Sequence, residues 1–199
     1  RRSSDLTATG VLAGKRVVEL AAGGTHNLVR CSDGTLVAWG GNSSGQLGNG
    51  TTATGTTPVL VTMSGALARK TVSSIGAGGS HSFVLCTDGS MISWGSNSYG
   101  RLGNGGTADS PVPVAVDTGA LQAGERPLAM AGSPLASHTL AVVASPPSPA
   151  ATIRAATAVT DSGATLNASV RPNGSPTTVW FEYGYNETYG AIVEASPSP

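Results

Sequence analysis

The chain has 199 residues, enough for one or two domains; only 11% of them are charged, and 11 basic residues balance 11 acidic ones. Nucleic-acid binding needs clustered positive charge, and the basic runs here are only the pairs Arg1-Arg2, Lys15-Arg16 and Arg69-Lys70, so we expect no nucleic-acid partner. Without an apolar run of about 18 residues we expect no membrane-spanning helix, and the abundant Gly, Ser and Thr favour a turn-rich β protein.

Two stretches of the chain, residues 22–50 and 77–105, repeat one another at a spacing of 55 positions. A fixed period of this kind predicts a stacked or radial array of small units. We assign complete repeats to residues 17–71 and 72–127 and a partial third repeat to residues 128–144. Residues 1–16 are then expected to be the tail of an earlier repeat, and the Arg-Arg-Ser-Ser start suggests a trimmed or longer polypeptide.

Each repeat is predicted to form strands and turns. Residues 81–86 alternate with a period of two, which indicates a strand, and residues 90–94 form the next strand. The Asp33-Gly34 and Asp88-Gly89 pairs between such strands predict hairpin turns with positive φ. After each Trp-Gly pair comes a Gly/Asn-rich loop and a further strand, in which Pro113 indicates an edge position.

The chain changes character after residue 144. Residues 145–151 are rich in Pro and Ser, which predicts a stiff, extended linker. Beyond it, residues 164–170 alternate as a strand with one buried face, and residues 177–183 form another strand. We therefore predict an all-β protein: an incomplete propeller-type repeat array, a linker, and a partial β-sandwich over residues 152–199.

The repeats resemble the regulator-of-chromosome-condensation repeat family. The residues that meet its signature in the first copy are Gly24, His26, Asp33, Gly34, Trp39, Gly40, Asn42, Gly45, Gln46, Leu47, Gly48 and Gly50. The second copy meets the signature again, with Arg101 in place of the glutamine. The resemblance implies four-stranded β-propeller blades, commonly in a ring of seven. Residues 152–190 resemble the first half of a fibronectin-type-III-like module.

Three residue types recur once per repeat. His26, His81 and His138 occupy one position, and one residue per blade cannot converge on a zinc ion, so we expect each to bond the neighbouring backbone and lock its blade. We expect Trp39 and Trp94 to pack between blades.

Cys31 and Cys86 also recur at equivalent positions, where the Cα atoms of neighbouring blades lie too far apart for a disulfide. We expect two buried, unbridged thiols that act as small hydrophobic side chains.

No catalytic, cofactor or metal site is predicted. Residues 41–45 fit the G-x-S-x-G pattern of hydrolases, but that pattern needs a strand, a sharp turn and a helix, whereas here it lies in a Gly/Asn loop. The other glycine-rich runs open no helix and lack the lysine of a phosphate-binding loop.

Tyr99 and Arg101 break the repeat, since they replace Ser44 and Gln46. Tyrosine and arginine in an exposed loop often anchor an interface, so these two residues are the candidates for partner binding; neutral drift is the alternative.

We expect a non-catalytic structural or interaction module, extracellular or at the cell surface and from a bacterium. Because an open array leaves strand edges unpaired, its partners are expected to be copies of itself or flanking repeats of the same polypeptide. Two alternatives stay open: a protein-binding or inhibitory propeller, and a nucleotide exchange factor for a small GTPase, as the family's namesake is.

Overall fold

The computed structural model describes residues 10–146, 150–160, 163–173, 177–183 and 191–194. These residues belong to two compact units, the first made of residues 10–121 and 126–144 and the second of residues 122–125 with those from 145 onward. The fold is all-β, which confirms the predicted class. The helices in the described part are three-residue 3₁₀ turns, and none of them is long and apolar enough to cross a bilayer.

Two complete antiparallel sheets form the centre of the first unit, and each has four strands in chain order. The strands of the first sheet are β1 (Val17–Ala22), β2 (His26–Cys31), β3 (Leu36–Gly40) and β4 (Gly55–Leu60). Those of the second sheet are β5 (Val72–Ala77), β6 (His81–Cys86), β7 (Met91–Gly95) and β8 (Ser110–Ala115). Each sheet thus corresponds to one sequence repeat.

The remaining strands pair only two by two in the described part of the chain. In the first unit, β9 (Arg126–Ala131) pairs with β10 (Leu140–Ala144), in the part of the chain where a partial third repeat is predicted. In the second unit, β11 (Ala150–Thr160) pairs with β12 (Gly163–Arg171), and β13 (Trp180–Tyr183) pairs with β14 (Ala191–Glu194).

Pro113 lies in β8, the outer strand of the second sheet, as predicted from its missing N–H. The hairpin turns differ from the prediction in one detail. Gly34 and Gly89 both have φ of +84°, but the aspartate before each has a negative φ. The reason is the loop length: Gly34 N–H donates to the Cys31 carbonyl and closes a longer loop in which only the glycine must be left-handed.

The same ion pair accompanies both hairpins. Lys15 Nζ lies 2.5 Å from Asp33 Oδ2, and Lys70 Nζ lies 2.6 Å from Asp88 Oδ2. Hydrogen bonds from these lysines hold the pKa of each aspartate below its usual range. Because the aspartates are half-exposed, such pairs add little stability and serve mainly to order the turn.

The hydrophobic core of the first unit lies between its two complete sheets. It continues from one repeat into the next because each sheet uses one face to cover its neighbour. Its buried members are Leu28, Leu36, Ala38, Leu47, Val61, Leu67, Val72, Val84, Cys86, Ile92 and Trp94.

The second unit departs from two expectations. β11 begins at Ala150, inside the segment interpreted as a linker, and it was not predicted because strict alternation in its sequence is confined to residues 151–155. The strand predicted over residues 164–170 is present within β12, but its apolar side is not buried: Leu166 remains 38% exposed. The reason is that β12 has β11 as its only described partner and no described sheet covers it.

Candidate functional site

At the contact between the first two sheets, an imidazole, a hydroxyl and a backbone carbonyl are linked by two hydrogen bonds. His26 Nε2 lies 2.9 Å from Ser82 Oγ, and Ser82 Oγ donates over 2.9 Å to the Gln46 carbonyl. Since a serine hydroxyl has a single hydrogen, which is used here, Ser82 must accept from the imidazole. His26 is therefore the tautomer with hydrogen on Nε2.

The other nitrogen of His26 is buried and has no partner among the described residues. The ring also packs against the backbone of Gly23, where an added Cβ would lie 2.2 Å from the imidazole. Burial lowers the pKa of His26 from 6.5 to about 4, because a proton on Nδ1 would meet neither water nor an acceptor. The ring is thus a neutral connector between sheets.

Replacing Ser82 by alanine is expected to lower the free energy of unfolding by about 1–3 kcal/mol, since it leaves the His26 Nε2–H buried without an acceptor. Urea denaturation of the variant and of the exposed control Ser98→Ala measures this. A loss no larger than the control's, which we expect to be below about 0.5 kcal/mol, would contradict the assigned bond.

A similar hydrogen bond joins the second sheet to the segment before β10. His81 Nε2 lies 2.7 Å from Thr139 Oγ1, and its other nitrogen is likewise buried without a described partner. Burial, with smaller effects from Arg101, His26 and His138, lowers its pKa to about 4. We expected each histidine to bond the neighbouring backbone, and this expectation is wrong. His26 and His81 each bond a side-chain hydroxyl instead, that of Ser82 and of Thr139. His138, third in the series, is exposed and bonds no described residue.

The two recurrent tryptophans lie in different surroundings. Trp94 is fully buried, and its indole Nε1–H donates over 2.9 Å to the Gln46 carbonyl of the first sheet's loop. An added Cβ on Gly48 would lie 2.6 Å from that indole nitrogen, so only glycine fits beneath the ring. Trp39 is only half-buried, because no described sheet lies on its side of the array.

Two asparagines brace the long loops, a role that the sequence interpretation did not assign. Asn42 is buried; its Nδ2 donates to the carbonyls of Thr51 and Ala53, and its Oδ1 accepts from Leu47 N–H. Asn97 repeats this pattern in the second loop. The signal that could have found the brace is the recurrence of Asn after Trp-Gly.

The sequence analysis also did not identify Ser82 as the partner of His26, or the Gln46 carbonyl as the acceptor for Ser82. A hydroxyl residue follows His81 and His138 but not His26, where the next residue is Asn27, so the pattern was visible in two of three repeats.

Cys31 and Cys86 are buried free thiols, and burial is the main cause that raises the pKa of each.

Tyr99 and Arg101 lie in the long loop of the second sheet. Tyr99 is 95% exposed and has a φ of +65°, a left-handed conformation that is rare for an aromatic residue. Arg101 Nε donates to the Ser98 carbonyl, so the guanidinium is held at the same loop. The matching Gln46 of the first loop is instead buried.

No constellation for catalysis or metal binding is formed by the described residues. Residues 41–45, which fit the hydrolase pattern, form a loop between β3 and β4 with no helix after it. Within the described ranges no three His, Cys, Asp or Glu side chains cluster so as to hold a metal ion.

Models of a known protein family match the two repeats of this chain. The profile described as "Regulator of chromosome condensation (RCC1) repeat" matches residues 33–85 and 88–125, and a second profile of the same description matches residues 17–46 and 72–101. The chain belongs to the RCC1 repeat family. Its two complete sheets are therefore RCC1 blades, whereas β9 and β10 lie after the last matched residue.

Individual relatives place these blades within much larger proteins. The chain is 32% identical over 110 residues to the human E3 ubiquitin-protein ligase HERC2, a match that covers 55% of this chain but 2% of that protein. It is 34% identical over 110 residues to the human Protein RCC2, covering 54% of this chain and 20% of that protein. The chain therefore spans a fraction of the relatives it matches.

A solved structure shows the same fold. Prp20p of Saccharomyces cerevisiae, described with its binding properties to Gsp1p and histones, superimposes with a TM-score of 0.51 at 22% identity. The superposition covers 60% of this chain and 29% of Prp20p. The resemblance to RCC1 propeller blades is thus seen in both sequence and fold, whereas the same comparisons do not extend to the fibronectin-type-III-like segment.

Proposed function

We propose that this chain is a non-catalytic interaction module whose RCC1 blades present the long loop of the second blade to a protein partner. The observation that carries the proposal is Tyr99, an almost fully exposed aromatic ring in a left-handed backbone conformation. A strained residue of this kind is often kept for a function. Tyr and Arg are also the residues that dominate interface energetics.

The surrounding polar groups support a binding role more than a chemical one. The buried His26 and His81 are neutral and bonded between blades, and the buried Asn42 and Asn97 are used within the loops. This leaves the exposed tip with Tyr99 as the part of the loop that is free to contact another molecule.

A photo-reactive phenylalanine tests the proposal. Placed at position 99, it is expected to cross-link one discrete protein in an extract of the source cells, and mass spectrometry identifies that protein. The control is the same probe at Ser43, an exposed residue of the first loop, which is expected to give no such product. The partner, once purified, is expected to bind the Tyr99→Ala/Arg101→Ala variant at least about tenfold more weakly than the original chain. Equal binding would refute the assigned surface.

Self-association is a second proposal, favoured by apolar side chains at the outer sheets of the array. Leu20 on β1 is 70% exposed, and Val17 and Val18 beside it are also exposed. Exposed apolar edges are typical of surfaces that another chain covers. Sedimentation velocity over a range of concentrations tests it, because a chain that stays monomeric throughout excludes self-assembly.

The finer assignments made from the sequence also stand as proposals. An extracellular or surface location of a bacterial protein is supported only by the low charge content, and cell fractionation tests it.

The fibronectin-type-III-like interpretation of residues 152–199 is supported by the antiparallel pairing of β11 with β12 and of β13 with β14. Nucleotide exchange is not proposed, since no described group favours it over binding alone.

A further inference from the structure

The sheet of β9 and β10, which we call the third sheet, has an open edge in the described part of the chain. In both complete blades the second strand lies between the first and the third. β10 occupies the second-strand position, because Thr139 bonds His81 just as Ser82 bonds His26. The described partner of β10 is β9 alone, so the backbone groups on the edge that faces a third strand in the other blades have no strand partner among the described residues.

The contact between blades continues to this edge. Gly24 N–H donates over 3.0 Å to the Gly79 carbonyl of the second blade, and Gly79 N–H donates over 3.0 Å to the Ala136 carbonyl of the third sheet. The third sheet therefore docks on the second blade as the second docks on the first. A third strand added beside β10 would take the place that β7 takes against the first blade.

The loop of the second blade offers the same receiving surface that holds Trp94 in the first. Gly103 has a φ of +63°, close to the +67° of Gly48, which lies beneath the Trp94 ring. An added Cβ at Gly103 would meet only Val116, at 3.1 Å, within 4 Å. The Arg101 carbonyl corresponds to the Gln46 carbonyl that accepts from Trp94, and no described residue donates to it.

Apolar side chains on the same sheet are left uncovered by the described residues. Leu140 and Val142 on β10 are 63% and 59% exposed, and Leu128 on β9 is 52% exposed. Strand addition at a sheet edge combines backbone hydrogen bonds, which provide affinity, with side-chain contacts, which provide specificity. Both components are available beside β10.

We propose that β10 accepts an extended strand of another polypeptide whose pattern is that of β3 and β7: two aliphatic residues, a small residue, then Trp-Gly. Its backbone pairs with β10, its indole N–H donates to the Arg101 carbonyl, and its ring packs on Gly103. A second copy of this chain does not supply the strand. Its two Trp-Gly strands are already hydrogen-bonded on both edges, and Trp180 is followed by Phe181.

The test uses the whole chain and a fluorescent synthetic peptide that copies residues 87–96, which contain β7. Fluorescence anisotropy is expected to show saturable binding, and a peptide with alanine in place of the tryptophan is expected to bind at least about tenfold more weakly. Hydrogen exchange is expected to slow at the amides of β10 when the peptide is added and to stay unchanged at those of β4.

Two further measurements make the proposal falsifiable. Gly103→Ala places a methyl group where the indole would pack and is expected to weaken peptide binding by at least about tenfold, with the far-ultraviolet circular dichroism unchanged. If that variant does not fold, the two peptides on the unaltered chain decide the matter. Equal binding of both peptides, no binding at all, or a dimer of the free chain with β10 already protected would each overturn the proposal.

Discussion

Replacing Trp94 by alanine is expected to lower the free energy of unfolding of the first unit by about 3–5 kcal/mol. The ring is fully buried in the core between the two blades, and its indole N–H donates to the Gln46 carbonyl. Its removal leaves a cavity above Gly48, because the surrounding strands cannot move in to fill it. Urea denaturation followed by circular dichroism measures the change.

The matched control for this prediction is Trp39→Ala, the same substitution at the same position of the first repeat. Trp39 is only half-buried and its indole has no described hydrogen-bond partner, so we expect a loss less than half as large. Trp94→Phe keeps most of the packing and removes the hydrogen bond. Equal losses in the free energy of unfolding for Trp39→Ala and Trp94→Ala would contradict the prediction, because they would show that burial of Trp94 between the two blades adds no stability.

Acidification is expected to destabilise the first unit between about pH 6.5 and pH 4, before the carboxylates are protonated. His26 and His81 have pKa values lowered by burial to about 4, whereas in the unfolded chain the value is 6.5. In this window the unfolded state binds more protons, so stability falls as pH falls. The expected slope is about 1.4 kcal/mol per pH unit for each histidine.

The pH profile separates these histidines from other groups. Asp33 and Asp88 have pKa values lowered by their lysine partners, so their contribution is lost only below about pH 4. His26→Gln and His81→Gln are each expected to remove about half of the slope between pH 6.5 and 4. His138→Gln, at the exposed third position, is the control. An unchanged slope in the His26→Gln/His81→Gln double variant would refute the assignment.

Much of the fold follows from local sequence signals. The period-two pattern at residues 81–86 predicts β6, and the Asp-Gly pairs predict the hairpins, because turn chemistry and strand alternation act within a few residues. The same signals are weak in β11, where strict alternation is confined to residues 151–155. The exposure of Leu166 could not be predicted either, since burial depends on a covering sheet and not on the strand itself.

The candidate site was predicted only as a set of residue types. Tyr99 and Arg101 stand out because they break the repeat, but the left-handed conformation of Tyr99 is visible only in the folded loop. The recurrence of histidine predicts one shared role in each repeat. It does not reveal that Ser82 and Thr139 are the partners, because these residues lie more than fifty positions away in the chain.

The sequence by itself determined the repeat, its strands and the positions that recur in it, because a period of 55 residues and the turn signals are written along the chain. Only the tertiary structure decided which copy of a recurrent residue is buried and hydrogen-bonded at a contact between sheets. Trp39 and Trp94, or His138 and His81, are equivalent in sequence, but one of each pair faces a neighbouring sheet and the other does not. The physical reason is that burial and hydrogen bonding depend on what lies across the interface between blades.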